Sequence, residues 1–599
     1  MSRKVWFQLV DGDSNKIGTV ASVRMPFDSA DVADVRKVIF AEVSRLFPEN
    51  VVPLSLVVFA NRADHTSGQK LPRLSLPLGQ LGIDEDNPII IKVPSQRRAE
   101  INEEPAQKKL KQSTVILNEQ MNAIAHNLDI KMWQIGGITL EICRVESDFP
   151  EWYYVRKETL DIIKVFEAEM EINRKILFVG TPGVGKSMMV VVFAFYMALI
   201  QKKRVFLLRK FKVKGFSMLH LDVEKKNCWR FEKARIEDIR LLRDYWKSAV
   251  LCLDGLLDEE VRSHYDILAP FRMLATSAQY DIKDDDLLLG RCLVPFWSLS
   301  DLIKISAHQK WRKQEIKERY FHSGGNLRQF TTPRVKADYL FSVRQFINFA
   351  VRKANFDVAT LLSTQYAVGS DQQIDRLRMT GLKASAQSNL SVYQDLTQWI
   401  CVITSEYALR QLGKIVKPSY YEELYSKGCM LGDEGLKGIA FENYVHTMAR
   451  DGKKIELKIR PYDRQQVREH TYVALGLEAK SICNDGDTAT ECDAAMKRFA
   501  SSDDDYWYPS FRYLKTIDCV AKLSMDAHFD TTGLIQITNS ATHKIDSNVV
   551  NRYAKFFPNA SCYIALVPDK QTGDNFRLDP ANPPTKVPLM VAYIANWRV

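Results

Sequence analysis

Apolar and polar positions alternate in two short stretches near the start of the chain, residues 4–10 and 54–59. Between them, apolar residues over 32–46 recur at helical spacing, and residues 89–93 are nearly all apolar. A period of two predicts a half-buried strand, and a period near 3.6 predicts a helix. Residues 1–95 are therefore predicted to form a ubiquitin-like β-grasp module, with another small α+β domain as the alternative.

Short apolar stretches alternate with helix-forming stretches over residues 151–335. Strands are predicted at 176–179, 204–208, 249–253 and 271–275, and helices at 188–200 and 236–246. Strands that alternate with helices predict a parallel sheet with helices packed on it. The pattern therefore places an α/β domain in the middle of the chain.

Three further segments have different patterns. Residues 96–150 begin with a polar, charged stretch that has no apolar period, and we predict a basic linker and connector there. Apolar residues recur at helical spacing over 336–426, which predicts a helical lid or connector. Residues 427–599 mix both periods, with helices predicted at 438–450 and 549–557 and strands at 516–523, 534–538 and 562–567. The expected fold class is multidomain, α/β and α+β.

The composition, 46% apolar and 26% charged, is that of an ordinary globular protein. The richest apolar stretch, residues 188–200, is too short to cross a bilayer, so we expect no membrane span. The start of the chain lacks the apolar segment of a secretory signal, so export would need another route. The net charge of +10 is modest for 599 residues, which makes local basic clusters more important than the overall charge.

Two basic clusters suggest partners. In the linker, Arg97 and Arg98 are followed by Lys108, Lys109 and Lys111, a spacing like that of a bipartite nuclear localisation signal. A solvated charged linker is the alternative. A second cluster could neutralise the phosphates of nucleic acid, and it comprises Lys453, Lys454, Lys458, Arg460, Arg464 and Arg468. Aromatic residues also interleave with basic ones over 506–515, which suits stacking on bases or, equally, a core.

Residues 180–187, GTPGVGKS, match the phosphate-binding pattern G-x-x-x-x-G-K-[ST] between a predicted strand and a predicted helix. Backbone amides can approach phosphate oxygens closely at Gly180, Gly183 and Gly185, because glycine has no side chain. The helix dipole also favours negative charge there. Lys186 is predicted to reach the β- and γ-phosphates, and Ser187 is predicted to hold Mg²⁺. ATP is the expected ligand.

Later positions extend this predicted nucleotide site. Asp254 ends a predicted strand, where a P-loop protein needs an acid for Mg²⁺. Thr276 and Ser277 follow the next strand, where many such ATPases sense the γ-phosphate. Arg328 follows the paired glycines of HSGGNLRQF, from which an arginine could reach the phosphates.

The position after Asp254 departs from the pattern of many ATPases. Gly255 stands where they have an acidic residue that polarises the attacking water, and Asp258 or Glu259 could substitute for it. We therefore expect a slow nucleotide switch rather than a motor.

Acidic and amide side chains recur in the C-terminal segment. Glu442 and His446 lie four residues apart on one face of a predicted helix. Asp518 and Gln536 lie on two predicted strands that can meet at one sheet edge, with Thr538 on the same face as Gln536. An ordinary hairpin with half-exposed residues is the alternative.

This order of helix, hairpin, helix and strand resembles the restriction-endonuclease-like core. The resemblance implies that Asp518 and Gln536 bind Mg²⁺, or Mn²⁺, which activates water for attack on a phosphodiester, and that Glu442 and Thr538 belong to the catalytic set. Gln536-x-Thr538 stands where many members have Glu-x-Lys, so one ligand is neutral and the lysine is missing. The missing positive charge could come from Lys515, His543 or Lys544.

Together, the N-terminal module, the basic linker, GTPGVGKS with LCLDG and SGGNLR, and the Glu, Asp, Gln-x-Thr series resemble the Crinkler effector family of oomycetes and related eukaryotic microbes. The resemblance implies a header for delivery, a P-loop NTPase and a nuclease. It also implies secretion without a recognisable signal peptide, action in the host nucleus and cytoplasm, and partners that include ATP, DNA, a nuclear import receptor and host proteins.

The expected function is therefore an effector in which an ATP-binding P-loop domain regulates a Mg²⁺-dependent DNA endonuclease. One alternative is an ATP-gated effector that binds DNA or a host protein through an inactive nuclease fold. Another is an intracellular NTPase of an immune or transposition system.

Overall fold

The computed structural model describes residues 3–11, 14–25, 31–43, 56–68, 81–93, 113–172, 174–211, 215–245, 248–276, 289–333, 338–354, 362, 377–386, 389–463, 471–511, 514–526, 529–557, 561–579 and 585–597. The chain divides into two compact units, Met1–Lys111 and Gln112–Val599. It has a mixed α/β fold with several separate sheets.

The first unit is a four-stranded sheet with helices. Its elements are β1 (Arg3–Val10), β2 (Lys16–Met25), α1 (Val32–Val43), β3 (Val57–Phe59), α2 (Arg62–Ser67) and β4 (Ile89–Lys92). The strand order is β2-β1-β4-β3, with β1 and β4 parallel and the other pairs antiparallel. Helix α1 buries Val35 and Ile39 in the same core as Phe7 and Ile91. The sequence does not predict strand β2, because most of its residues are exposed or half-buried and give no clear alternation.

The second unit begins with a large sheet that carries the phosphate loop. Its strands are β5 (Thr114–Val115), β6 (Gly136–Thr139), β7 (Trp152–Val155), β8 (Lys175–Val179), β9 (Val205–Phe211), β10 (Gly215–Leu221), β11 (Trp229–Ala234), β12 (Val250–Asp254), β13 (Phe271–Ala275) and β14 (Leu289–Leu293). The strand order in the large sheet is β14-β8-β13-β12-β9-β10-β11-β5, while β6 and β7 form a separate hairpin. From β14 to β9 all neighbours are parallel, so their carboxyl ends lie at one edge of the sheet.

Helices pack against this sheet because its central strands β8, β13 and β12 are mostly apolar and buried. The helices are α3 (Asn118–Ala125), α4 (Lys157–Glu171), α5 (Lys186–Leu199), α6 (Ile236–Tyr245), α7 (Asp258–Ser263), α8 (Tyr265–Leu268), α9 (Leu299–His308), α10 (Lys313–Ser323) and α11 (Leu327–Thr331), with 3-10 turns at Ile130–Met132 and Ile142–Arg144. Helix α5 contacts β9, β12 and β13, and its residues from Met189 to Leu199 are all buried. An all-round apolar helix of this kind is expected inside a large core.

Part of the predicted connector belongs to this sheet. Strand β5 pairs with β11, and the residues that follow it lie within the second unit, so the connector part of the predicted segment 96–150 contributes a strand to this sheet. A two-residue strand with both side chains exposed leaves no period in the sequence, because it is held by backbone hydrogen bonds alone.

The segment predicted as a helical lid is only partly helical. It contains α12 (Asp338–Ala354), β15 (Met379–Leu382), β16 (Trp399–Val402), α13 (Glu406–Leu412) and α14 (Pro418–Leu431), with 3-10 turns at Ala384–Ala386, Leu390–Tyr393 and Leu396–Gln398. Strands β15 and β16 form an antiparallel hairpin in which every residue is buried, so no alternation marks them as strands. Ile400 and Leu424 share one core with Phe441 and Ile564, so the segment packs with the C-terminal part.

The C-terminal part is an eight-stranded sheet between two apolar clusters. Its elements are α15 (Glu434–Arg450), β17 (Ile455–Pro461), β18 (Val473–Leu477), β19 (Ile482–Asp485), α16 (Ala489–Ala500), β20 (Tyr506–Pro509), β21 (Cys519–Asp526), β22 (Phe529–Ile537), β23 (Thr542–Lys544), α17 (Ser547–Ala554), β24 (Ser561–Val567), α18 (Lys570–Asp574), β25 (Arg577–Asp579) and β26 (Leu589–Ile594). The strand order is β18-β17-β26-β24-β22-β21-β20-β19. Along β22, Ile535 joins the cluster with α15, while Leu534 joins the cluster with α16 and α17.

No helix within the described ranges is both long enough and apolar enough to cross a membrane.

Candidate functional site

The phosphate loop lies between the end of β8 and the start of α5. Its glycines have positive φ angles, 140° at Gly180, 93° at Gly183 and 109° at Gly185, a region that favours glycine. A Cβ atom at Gly180 would lie 2.5 Å from the carbonyl oxygen of Val294, and one at Gly183 would lie 2.3 Å from Oδ1 of Asn326. The loop therefore needs glycine for its backbone shape at all three positions and for space at the first two.

Lys186 is the first residue of α5, and its side chain folds back over the loop. Its Nζ donates hydrogen bonds to the carbonyl oxygens of Gly180 (2.5 Å) and Thr181 (2.9 Å). Burial and the positive charge of Arg328 lower the pKa of Lys186 to about 7, although Asp254 opposes the shift. Ser187, the next residue, is half-buried. The ammonium is thus held at the loop and would be fully charged beside a bound phosphate.

Asp254 lies at the end of β12, in register with Arg209 of β9. Its Oδ2 accepts a hydrogen bond from Arg209 Nε at 3.1 Å, whereas its buried Oδ1 has no hydrogen-bond partner among the described residues. Arg209 also pairs with Glu146, which lies 2.6 Å from a guanidinium nitrogen of Arg230. Burial disfavours the charged Arg209, but Asp254 and Glu146 outweigh that effect and raise its pKa. A buried chain of alternating charges therefore orients Asp254.

Thr276 follows β13, the strand that lies between β8 and β12. Its backbone N–H donates to the carbonyl oxygen of Phe178 at 3.2 Å. Its buried hydroxyl is without a hydrogen-bond partner in the described part of the chain. Ser277, predicted beside it, lies outside the described residues.

Arg328 lies on α11, in a turn that packs directly on the phosphate loop. Its backbone N–H donates to the carbonyl oxygen of Gly183 at 3.1 Å, and Nδ2 of Asn326 donates to that of Pro182 at 3.0 Å. The Arg328 side chain is exposed and close enough to Lys186 to lower its pKa. An exposed guanidinium beside the loop is placed to contact an incoming phosphate.

These side chains fit a magnesium-bound triphosphate. Leaving a buried polar atom without a partner costs about 1–3 kcal/mol, and both Asp254 Oδ1 and Thr276 Oγ1 are in that condition within the described part of the chain. A carboxylate oxygen suits a water on Mg²⁺, and a hydroxyl suits a phosphate oxygen. The loop, Lys186 and Arg328 supply donors and positive charge at the same edge of the sheet.

A second acidic site lies in the C-terminal part. Asp518 precedes β21, and its Oδ2 accepts hydrogen bonds from the backbone N–H of Ile537 (2.7 Å) and from Nε2 of Gln536 (2.5 Å). Burial and the negative charge of Glu442 raise the pKa of Asp518 well above its usual range, against the effects of the Ile537 N–H and Arg410. The amide of Gln536 thus contacts Asp518 directly, whereas Glu442 acts on Asp518 through its negative charge.

Glu442 is contacted by two basic side chains. Its Oε1 lies 3.3 Å from a guanidinium nitrogen of Arg410 and 3.8 Å from Nε2 of His446. Nδ1 of His446 lies 2.8 Å from the hydroxyl of Tyr506, and its ring stacks on Tyr508. Both contacts fix the orientation of the imidazole.

Other predicted residues lie away from this cluster or have structural roles. The hydroxyl of Thr538 accepts a hydrogen bond from Ser540 N–H at 3.1 Å. His543 and Lys544 lie on β23, which pairs with β25 in a separate small sheet. Lys515 is exposed. Within the ranges that the structure describes, no group of three or more His, Cys, Asp or Glu side chains could hold a metal ion.

The predicted nucleic-acid contacts need correction. Arg460 is buried and donates to the carbonyl oxygen of Gly573 at 2.9 Å, so it holds the fold rather than a phosphate. Tyr506 and Trp507 are fully buried in the core, which leaves them unable to stack on bases. Of the two basic clusters, the linker residues as well as Arg464 and Arg468 lie outside the described residues.

The sequence prediction missed Arg209, Glu146 and Arg410. Arg209 does leave a signal, because it is the first charge after four apolar residues of β9 and lies level with the predicted acid of β12. Arg410 leaves only a weak signal in the sequence, because it lies four residues after Glu406 on α13. Glu146 leaves none that we can identify.

No protein-family model matches this sequence, and no curated protein matches it. Solved structures similar to it include AMPPCP-bound DnaA from Aquifex aeolicus, with 14% identity over 44% of this chain and 90% of that chain and a TM-score of 0.22. Another is a signal transduction ATPase with numerous domains and a tetratricopeptide repeat sensor from Pyrococcus horikoshii, with 7% identity over 51% of this chain and 49% of that chain and a TM-score of 0.18. Neither likeness is strong enough to assign a function.

Proposed function

We propose that the phosphate loop and the neighbouring strand ends bind ATP with Mg²⁺. The observation that carries this proposal is the pair of buried oxygens, Asp254 Oδ1 and Thr276 Oγ1, that lack partners in the described structure beside a glycine-rich loop. Both atoms lie at the carboxyl edge of the parallel strands, where α/β sheets bind their ligands.

Each residue of this site has a role that follows from its position. Lys186 and Arg328 neutralise the phosphates, Ser187 and Asp254 hold the metal ion, and Thr276 donates to the γ-phosphate. Mg²⁺ held by Ser187 and Asp254 would neutralise negative charge on the phosphates. Binding replaces the loop carbonyls as partners of Lys186 and gives Asp254 Oδ1 and Thr276 Oγ1 the partners that they lack in the described structure.

Hydrolysis is expected to be slow. Gly255 has a φ angle of 79°, and a Cβ atom there would lie 2.8 Å from the carbonyl oxygen of Lys210. An acidic side chain therefore has no room at this position. Asp258 is paired with Arg262 at 2.8 Å, and Glu259 is exposed. This supports a switch that remains ATP-bound for long periods.

The test of the nucleotide site is Lys186→Ala in the full-length chain. Mg-ATP at about a hundred times its Kd should stabilise the wild type by about 2.7 kcal/mol, which is read as a rise in melting temperature. The variant should lose that rise, while Lys203→Ala, an exposed lysine of the same domain, should keep it. An equal rise in Lys186→Ala would show that the assigned pocket is wrong.

We propose, as the activity regulated by the nucleotide, a Mg²⁺-dependent cleavage of DNA at the second acidic site. The contact of Gln536 with Asp518 and the effect of the Glu442 charge on Asp518 favour it. Mg²⁺ commonly uses one or two carboxylates together with substrate phosphates, so two carboxylates would suffice. In that role Asp518 and Glu442 would hold the ion, which activates a water, and the Gln536 amide would orient Asp518.

The rival proposal is a nuclease fold that binds DNA or a host protein without cutting. It is favoured by the contact of Arg410 with Glu442, which already supplies a positive charge to the carboxylates. Gln536 and Thr538 in place of Glu and Lys point in the same direction.

Plasmid DNA with Mg²⁺ or Mn²⁺, and with EDTA as the metal-free control, separates the two proposals. Asp518→Ala should abolish nicking, whereas Asp503→Ala, an exposed aspartate of the same domain, should not. Equal cleavage by wild type and Asp518→Ala would exclude this site. DNA binding without any cleavage by the wild type would favour the rival.

We also propose a Crinkler-type effector role, with a ubiquitin-like first unit, a restriction-endonuclease-like C-terminal part and action in a host nucleus. The strand order β2-β1-β4-β3 with a packed helix supports the first of these. Nuclear import would depend on Arg97, Arg98, Lys108, Lys109 and Lys111. A fluorescent fusion should enter nuclei of host cells, and alanine at these five positions should keep it in the cytoplasm. Equal nuclear entry by both would reject this route.

A further inference from the structure

Arg410 lies among the carboxylates of the second acidic site. A guanidinium nitrogen lies 3.3 Å from Glu442 Oε1 and 3.2 Å from Glu406 Oε1. Although burial opposes its charge, Glu442, Glu406 and Asp518 together raise its pKa. Arg410 is therefore a permanent positive charge at this site.

An arginine here can do what the missing lysine would do. A guanidinium presents several N–H donors in one plane and binds phosphate through two of them at once. The distances of 3.3 Å to Glu442 and 3.2 Å to Glu406 both involve the same terminal nitrogen, Nη2, of Arg410. Lys515 is exposed and Lys544 is on a different sheet, so Arg410 fits the role better than either.

Helix α13, which carries Arg410, begins next to residues that hydrogen-bond to the turn of residues 322–328. We call this turn, which also contacts the phosphate loop, the nucleotide-binding turn. Ser405 caps α13 by accepting a hydrogen bond from Ala408 N–H, and its hydroxyl donates to the carbonyl oxygen of His322 at 2.7 Å. The hydroxyl of Thr404 accepts from Gly325 N–H at 2.9 Å. A Cβ atom at Gly324 would lie 2.3 Å from Thr404 Oγ1, so these two segments of the chain approach each other closely.

The same turn reaches the phosphate loop on its other side. Asn326, which follows Gly325 directly, contacts Pro182, and Arg328, two residues further on, contacts Gly183. A second connection runs from the hydroxyl of Thr181 to Thr380 N–H at 3.2 Å, in β15. Strand β15 pairs with β16, which leads into Thr404. Two short paths of hydrogen bonds therefore connect the loop with the start of α13.

We propose that Arg410 contacts a phosphate of bound DNA at the second acidic site, and that Thr404 and Ser405 position it according to the state of the nucleotide site. This inference rests on the proposed function of both sites. A nucleotide that draws the turn at Asn326 and Arg328 toward its phosphates changes the position of Thr404, and α13 moves with its cap. The coupling is reciprocal, so bound DNA changes nucleotide affinity by the same factor.

The test of Arg410 uses the full-length protein and two readouts. Binding of a short DNA duplex is measured by fluorescence anisotropy in Ca²⁺, and plasmid cleavage is measured in Mg²⁺. Arg410→Ala should weaken duplex binding by about tenfold or more, the loss expected for a charged hydrogen bond, and slow cleavage further. Arg552→Ala, which removes an arginine paired with Asp493 on another helix of the same domain, should change neither.

The test of the connection is Thr404→Val, which removes the hydroxyl and keeps the shape of the side chain. In the wild type, a non-hydrolysable ATP analogue should change the Kd for the duplex by about fivefold or more, the usual lower range for coupled sites. Thr404→Val should bind the analogue normally but lose that change. Thr397→Val, an exposed threonine of the same segment, should retain it.

The outcomes separate this inference from the proposed function. If Asp518→Ala abolishes cleavage while Arg410→Ala binds and cuts like the wild type, the role of Arg410 is overturned and the nuclease stands. If the wild type binds DNA without cutting and Arg410→Ala loses binding, the nuclease fails and the phosphate contact stands. The connection is overturned if the analogue does not change the wild-type Kd for the duplex. It is also overturned if the analogue changes that Kd by the same factor in Thr404→Val as in the wild type. If Arg410→Ala melts below the assay temperature, Arg410→Lys is used in its place and should also weaken duplex binding. If Arg410→Lys binds the duplex as tightly as the wild type does, the proposed phosphate contact is overturned.

Discussion

The side chain of Lys186 folds back over the phosphate loop, and its ammonium donates to the carbonyl oxygens of Gly180 and Thr181. Burial removes water from this charge and lowers its pKa to about 7, near physiological pH. Burial shifts the pKa of Asp518 in the opposite direction, because there the charged form is an anion. Each shift disfavours charge in the free protein, so each site gains most from a ligand of opposite charge.

Proton uptake should accompany ATP binding. A bound triphosphate favours the charged Lys186 and raises its pKa above about 7, so between the free and bound pKa values binding must take up a proton. Affinity is then highest below about pH 7 and falls at higher pH, by at most about tenfold per pH unit. Calorimetric titration near pH 8, in two buffers with different ionisation heats, measures the uptake.

Lys186→Arg is the control for this prediction, since arginine stays charged and takes up no proton. The same binding heat for the wild type in both buffers would contradict the assigned pKa of Lys186.

At the scale of single elements, the end of β12 limits what this nucleotide site can do. Gly255 follows Asp254 with a φ angle of 79°, which turns the chain away directly after the acid. Gly215 has a similar φ angle, 75°, but nothing lies within 4 Å of the position that a Cβ atom would take there. The two glycines therefore differ in space but share the same backbone strain for other residues.

Gly255→Glu should lower ATP turnover rather than supply the absent acid. Its Cβ atom would meet the carbonyl oxygen of Lys210, in the strand beside β12, and displace Asp254. We expect a melting temperature several degrees lower and weaker binding of Mg-ATP, measured by thermal unfolding and a phosphate-release assay. Gly215→Ala, which has the φ strain without the clash, should lose less stability and keep ATP binding. Faster turnover in Gly255→Glu would contradict this account.

Elements with a strong local signal were predictable from the sequence. The strand before the phosphate loop is apolar throughout, and the loop spacing needs only eight adjacent residues, so both could be recognised without tertiary information. Strand β5 and the hairpin of β15 and β16 could not, because the first has two residues and the second has no polar face. The same limit applies to side chains. Arg410 reaches Glu442 from 32 positions away, and only the folded chain joins them.

At the scale of the whole molecule, the nucleotide site and the second acidic site belong to one compact unit, Gln112–Val599. A continuous apolar core joins the hairpin of β15 and β16, helix α14 and the C-terminal sheet. Because interiors of this kind are densely packed, a shift at the hairpin is transmitted to its neighbours. The two sites are therefore expected to respond together.

Hydrogen exchange should reveal that response. Mg-ATP is expected to slow amide exchange in β16 and α13, because Thr404 and Ser405, which lie between these two elements, hydrogen-bond to Gly325 and His322. It should leave α17, on the other face of the sheet, unchanged. Mass spectrometry of the wild type and Lys186→Ala with and without nucleotide measures this. Equal protection of α13 and α17, or none in either, would contradict the expected path.

The pairing of β5 with β11 has a practical consequence for shortened versions of the protein. Thr114 and Val115 cover the last strand of the large sheet with backbone hydrogen bonds. A truncation that starts at residue 118 would uncover that edge, and uncovered edges recruit strands from other molecules. A chain that begins at residue 113 should stay monodisperse, whereas a chain that begins at residue 118 should self-associate.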